Sequence, residues 1–334
     1  MTLNRTVKKG ALGTAAGALL GLGVAAPVAA EELRLAHFVS PLHVVNHSII
    51  DPLVEGVAEA TDGELTIRVY PGGELGGGPA DQYIRAVQGV ADITWGLQGY
   101  TSAQFGKTMI TEMPGTIPEG MSGYDLFWNA YDEHLRDEFP GTRPLAVYVS
   151  EPSVFIMRDV EVRHPSDVEG LRVRVSGNIQ GALAEEMGAT PVQMPAGEIY
   201  NAMQTGLIDG VITGGSAIAD FSLDEVANTY SVGAPLGHIG FFLVMNEERY
   251  QGLSEEFQAA IDANSGIELS RSGEEAWNER AAETLDMLRD DPNETVIDLT
   301  EEEIEAFAEV LLPVTDRLID EMGAEDVLAA MQGR

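Results

Sequence analysis

The sequence predicts an α/β protein of two similar lobes braced by a long helix. Three observations carry this prediction. Residues 33–96 alternate strand, helix, strand, helix, strand; a helix-to-strand unit near residue 86 returns near residue 202; and residues 255–289 read as one helix.

In order along the chain, Leu33-Arg34-Leu35-Ala36-His37-Phe38 reads as a first strand, and Asn46–Thr61 as a helix ended by Asp62-Gly63. Leu65–Tyr70 alternates apolar and polar residues as a second strand before the Pro71-Gly72-Gly73 turn. A helix over Pro79–Gln88 and a strand over Ala91–Gly96 complete a β-α-β-α-β order, which predicts a largely parallel sheet covered by helices. Ala86-Val87-Gln88-Gly89-Val90-Ala91-Asp92-Ile93 resembles Ala202-Met203-Gln204-Thr205-Gly206-Leu207-Ile208-Asp209-Gly210-Val211. In both, a helix closes on Gln and Gly and an Asp opens a strand, so a second lobe of the same construction is expected. Ser254 caps the long helix, which at 1.5 Å per residue would span roughly 50 Å and brace both lobes. Asp290-Asp291-Pro292-Asn293 stops it, Val296–Leu299 suits an edge strand, and Thr300 with Glu303 forms a capping box for a last helical segment that Pro313 kinks.

Residues 1–30 stand outside both lobes. Arg5, Lys8 and Lys9 precede the apolar small-residue run Ala11–Ala26, and Val28-Ala29-Ala30 offers small residues at a cleavage site before Glu31. This predicts a cleavable signal peptide and a periplasmic mature protein. The run is too short and Gly-rich for a span of about 20 residues, so the protein is not expected to be membrane-embedded. No cysteine is present, which excludes disulfides, thiol catalysis and thiolate metal sites.

The chain carries 19 basic and 54 acidic residues. Removing the three basic residues of the leader leaves 16 against 54, a net charge near −38, with Lys107 the one lysine of the mature protein. Nucleic acid is excluded as a partner, since phosphate binding needs clustered Lys and Arg. So one-sided a charge points to work in high salt, where screening shortens the repulsion.

Against this acidity, Arg174 stands out. Arg172 and Arg174 lie two apart on one face of a strand whose other face is Leu171, Val173 and Val175. Arg174 adjoins Ser176-Gly177-Asn178 at the carboxyl end of the strand, where open α/β sheets bind ligands. Its planar fork can hold a carboxylate through two parallel hydrogen bonds. Arg172 is expected to meet surface carboxylates instead. Trp95, Gln98 and Tyr100 follow the third strand among Gly89, Gly96 and Gly99, a run that suits a sugar, aromatic or acid pocket as well as a core. His37 and Phe38 end the first strand and can line a cleft. His37, His43 and His47 lack any accompanying metal-ligand set, so no metal is expected. The loop Gly72-Gly73-Glu74-Leu75-Gly76-Gly77-Gly78 lacks the Lys-Ser/Thr of a nucleotide loop, and no Gly-x-Ser-x-Gly elbow or Ser-His-Asp set is recognisable. Neither a cofactor nor catalysis has positive support.

Several segments, in order, resemble the extracytoplasmic solute-binding proteins of TRAP transporters, the DctP type. They are Thr61-Asp62-Gly63-Glu64-Leu65, Tyr70-Pro71-Gly72-Gly73-Glu74-Leu75-Gly76, Gly170-Leu171-Arg172-Val173-Arg174-Val175, Met187-Gly188-Ala189-Thr190-Pro191, and Glu198-Ile199-Tyr200 through Gly210. The resemblance covers nearly all of residues 33–330. It implies a two-lobed periplasmic solute-binding-protein fold with mixed sheets, a central cleft and a long helix spanning both lobes. The expected division is 31–152 plus 239–253 for lobe I, 153–238 for lobe II, 254–290 for the spanning helix, and 291–334 for a C-terminal strand and helices packing on the lobes. It further implies that Arg174 is the family's carboxylate-binding arginine, that the lobes close on a small organic acid, and that the closed protein docks on the transporter's membrane subunits, with uptake driven by an ion gradient, commonly sodium.

The departures from the family pattern bear on the ligand. Many relatives follow Asp-Gly with an acidic residue and an Asn that helps hold the ligand, where this chain has Thr213. Sialic-acid binders carry a second arginine where this chain has Ser153-Val154. A smaller or less polar monocarboxylate is therefore expected, with Trp95, Tyr100 or Phe38 over its apolar part. Asn178 beside Arg174, Ser216 beyond Thr213, Ser153, and His238 before the strand Phe241–Met245 complete the candidate ligand-binding set. The alternatives are an extracellular hydrolase or lyase on the same scaffold, or a binding protein for a sugar acid or compatible solute.

Overall fold

The structure, a computed structural model, describes residues 1, 2 and 30–334. The signal peptide expected at residues 1–30 lies, but for its ends, outside the described residues. The strands are β1 (Glu31–Ala36), β2 (Leu65–Tyr70), β3 (Ile93–Leu97), β4 (Thr142–Val149), β5 (Ser153–Met157), β6 (Arg172–Val175), β7 (Thr190–Gln193), β8 (Gly210–Gly214), β9 (Thr229–Val232), β10 (Gly240–Asn246) and β11 (Thr295–Asp298). They form two sheets, ordered β2-β1-β3-β10-β4 and β11-β9-β5-β8-β6-β7. Both are mixed rather than largely parallel, as the β-α-β-α-β order alone suggests. In the first, β10 returns from the other lobe and runs antiparallel between β3 and β4; in the second, β5 runs antiparallel between β8 and β9. A strand that enters a sheet by a long crossover from the partner lobe carries no local βαβ signal.

The helix-to-strand repeat is structural. Helices Gln82–Val87 and Ile199–Gln204 both end at a left-handed glycine, Gly89 at φ +66° and Gly206 at φ +70°. The match continues into chemistry. Asp92 accepts from the backbone N–H and Nε of Arg34 at 2.8 and 3.2 Å, and Asp209 accepts from those of Arg172 at 2.8 and 3.1 Å. Arg34, half-buried, and Arg172, exposed, are thus counterparts, each holding the turn of its lobe. Two residues on, the first lobe has Ala36 and the second has Arg174. Arg174 therefore has no arginine counterpart in the first copy.

The helix expected at 255–289 is two. Glu255–Ala263, capped by the Ser254 hydroxyl accepting from Phe257 N–H, stops at Asn264-Ser265-Gly266, and Ile267–Asp290 follows. Gly266 takes φ +82°, which no helix admits, and Asn264 turns its side chain back to the carbonyl of Ala260. The remaining 24 residues make a rod of about 36 Å. Its first half buries Leu269 and Trp277 in the core under the β10 sheet, and its second half buries Leu285 and Leu288 in the core under β5 and β8. The helix Glu301–Met322, capped by Thr300 and Glu303 and continuous through Pro313, bridges the lobes as well. Phe307, Leu311 and Val314 join one core, Ile319 the other. No helix among the described residues is long and apolar enough to cross a membrane.

Candidate ligand-binding cleft

Arg174 is 1% exposed at the end of β6. Its Nε and Nη2 donate to the carbonyl of Met194 at 3.0 and 2.9 Å, and Nη2 also donates to the hydroxyl of Tyr100 at 3.2 Å. Among the described residues no hydrogen bond is made by Nη1 and no ion pair includes Arg174. Burial pushes its guanidinium down from the ordinary range, yet an arginine stays protonated. A buried cation left without an anion is costly unless something completes it.

The space beside Arg174 is a small cavity of about 40 Å³. Its walls are aromatic. Trp95, from β3, stacks on Phe38 at 5.3 Å and on Phe241, from β10, at 5.4 Å between ring centroids. Trp277, from the long helix, meets Phe241 at 5.1 Å and His43 at 5.6 Å, and Phe221 closes against His43 at 5.7 Å. Thr213, Ser216 and Ser150 bring the remaining polar edges. The walls come from both sheets and the helix that bridges them. One cationic fork facing aromatic surfaces favours a carboxylate on an apolar body.

The cleft is closed. Tyr100, on the β3 side, accepts from Arg174 and from the backbone N–H of Ala196, the latter at 2.7 Å, tying the two lobes together. Gly99 and Gly177 touch backbone to backbone: a Cβ on Gly177 would lie 2.7 Å from the Cα of Gly99. Two buried carboxyls sit at the crossovers between lobes. Glu112 accepts from Gly240 N–H at 3.0 Å, and burial pushes it up to about 8. Glu151 accepts from Ser216 N–H at 2.7 Å, and burial pushes it up to about 7.

Of the residues expected in the site, Arg174, Thr213, Ser216, Trp95 and Phe38 line the cavity, and Tyr100 reaches Arg174 from its edge. Five are placed away from the lining. Gln98 is buried against the Phe241 carbonyl, Ser153 accepts from Gln180 at 3.2 Å inside the second lobe, and Asn178 is exposed at the start of the helix Asn178–Glu186. His37 is fully buried and burial pushes it down to about 4; His238 sits on the crossover with Nδ1 2.9 Å from the Ser150 carbonyl. Sequence reasoning missed Trp277, Phe221, Phe241 and His43 as cavity walls. A lone tryptophan in the polar stretch Glu275–Glu279 was the available signal for Trp277. His43 accepts from Val45 N–H through Nδ1 and faces Asp220 at 3.5 Å through Nε2; burial pushes it down to about 3, so it is a neutral wall residue.

Residues 35–321 match the family described as bacterial extracellular solute-binding protein, family 7, known as DctP. The chain belongs to this family. This DctP-family protein is 26% identical over 272 residues to the ectoine-binding periplasmic protein TeaA of Halomonas elongata, covering 78% of this chain and 77% of that one. Its fold matches a TRAP solute-binding protein from Rhodoferax ferrireducens in complex with copurified benzoate, at TM-score 0.82 and 25% identity over 91% of this chain and 97% of that one. It also matches a TRAP periplasmic solute-binding protein from Bordetella bronchiseptica with bound (R)- and (S)-mandelate, at TM-score 0.83 and 25% identity over 91% and 98%. TRAP solute-binding proteins bind small ligands and work with membrane subunits, so the family's function is capture for transport.

Proposed function

We propose that this protein is a periplasmic subunit of a TRAP transporter that captures a small monocarboxylate, foremost one with an aromatic or apolar body, and hands it to the membrane subunits. The observation that carries this is Arg174, buried and without a carboxylate partner, opening on an aromatic-walled cavity. The ligand's carboxylate takes the free donors of Arg174. Tyr100 Oη already accepts two N–H groups, so its own proton is available to the same carboxylate. Trp95, Phe38 and Trp277 cover the apolar part. The benzoate and mandelate held by the two structural relatives are acids of this kind. Closure then collects contacts from both lobes at once, which makes the closed form the liganded one.

A thermal-shift screen against benzoate, mandelate, galacturonate and ectoine tests the reading. A true ligand at 100 times its dissociation constant stabilises the fold by about 2.7 kcal/mol. Benzoate or mandelate is expected to raise the melting temperature most. A shift by ectoine alone would replace the monocarboxylate with a zwitterion.

A further inference from the structure

Glu151 lies behind the cavity wall on the crossover from β4 to β5, 5% exposed. Its Oε1 accepts from Ser216 N–H, while its Oε2 is buried with no hydrogen-bond partner. A Cβ built on Gly214 would come within 2.4 Å of Oε1 and 3.3 Å of Oε2. Gly214 and Ser216, the residues against this carboxyl, line the cavity that Arg174 opens on, as does the preceding residue Ser150. Glu151 thus stands one backbone thickness from the space a carboxylate ligand would fill.

We infer that ligand binding draws a proton from solvent onto Glu151, so that the cavity captures a carboxylate together with a proton rather than the bare anion. This rests on the carboxylate reading above. A second negative charge brought into a dry cavity disfavours the ionised form of a neighbouring carboxyl. The balance is simple: the Glu151 carboxylate plus one solvent proton becomes the carboxylic acid, the ligand keeps its charge for Arg174, and the protonated oxygen is the Oε2 that now lacks a partner.

The charged and titratable groups packed around Glu151 are few. Asp220, on the helix Ser216–Asp220, adds negative charge and is itself paired with Arg280 at 3.3 Å and faces His43. His238 contacts the Ser150 carbonyl, Glu274 of the long helix accepts from Val149 N–H, and Arg174 lines the cavity. Burial pushes both histidines down, so neither supplies the proton-binding change above neutrality. Burial raises Glu151 to about 7, where a nearby anion has most leverage. With the protonated form favoured by the ligand, affinity is highest below that pH and falls above it by up to about tenfold per unit.

The test is calorimetric titration of the mature protein with benzoate at pH 8 in buffers of different ionisation enthalpy, repeated from pH 6 to 9. The expected result is uptake of about one proton per ligand at pH 8 and affinity falling with pH. Glu151→Gln keeps an oxygen for Ser216 N–H and carries no proton to gain; it should bind with no uptake and nearly flat affinity. An infrared difference spectrum of the unaltered protein should gain a carboxylic-acid C=O band on binding, which keeps the test independent of how the variant folds. Benzoate binding with no uptake and no such band overturns the inference while leaving the carboxylate reading intact. Equal uptake in Glu151→Gln also overturns it. Failure of the unaltered protein to bind benzoate counts against both.

Discussion

Arg174→Ala is expected to lower affinity for a carboxylate ligand by about 2–5 kcal/mol, roughly 30-fold to several thousand-fold, in a calorimetric titration. The size follows from burial. Removing one partner of a hydrogen-bonded charge pair leaves the other charge desolvated and alone. Arg174→Lys keeps the charge but not the fork and should recover only part of the loss. The internal repeat supplies a control. Arg172 holds Asp209 on the surface, with its side chain 45% exposed, so Arg172→Ala should leave affinity unchanged. A buried cation without an anion is itself costly to the fold, so the loss should appear in binding before stability.

The second large effect belongs to closure. Gly177→Ala is expected to weaken binding roughly five- to 150-fold, because the added methyl meets the Cα and carbonyl of Gly99 at 2.7 and 2.9 Å and overpacking of that kind costs about 1–3 kcal/mol. Both groups are backbone and cannot rotate aside. Gly177 itself has φ −164°, extended backbone that alanine adopts freely, so neither lobe is strained. The penalty falls on the closed state alone. Ligand-induced compaction measured by small-angle scattering should therefore shrink along with affinity, while the ligand-free protein melts as before. Unchanged affinity would mean that the glycines do not limit closure.

How far the sequence carried this account differs from element to element. Strands β1, β2 and β3 were readable from their order with the intervening helices, as was the second copy of the helix-to-strand unit. The break at Gly266 was not, because Asn264-Ser265-Gly266 interrupts a helical pattern that resumes in phase with the apolar face. Arg174 was legible because an arginine on a buried strand of an acidic chain has few other uses. The polar residues Gln98, Ser153 and His238 looked equally available, yet each is bonded within a lobe or at a crossover, Gln98 through Nε2 alone. The aromatic walls depend on closure. Trp95 and Phe241 come from the first sheet, Phe38 from just after β1, Phe221 from the end of the helix Ser216–Asp220 and Trp277 from the bridging helix, and no local pattern tells a cavity wall from a core when the two are built of the same side chains.

The most direct measurement of the central claim compares benzoate with benzamide, which share a ring and differ in charge at the group meant for Arg174. Binding to the unaltered protein can be followed through the fluorescence of Trp95 and Trp277 in the cavity wall. Benzoate is expected to bind roughly ten- to 150-fold more tightly, the range of a charge-assisted hydrogen bond of about 1.5–3 kcal/mol. Equal affinities, or tighter binding of the amide, would contradict a carboxylate clamp at Arg174.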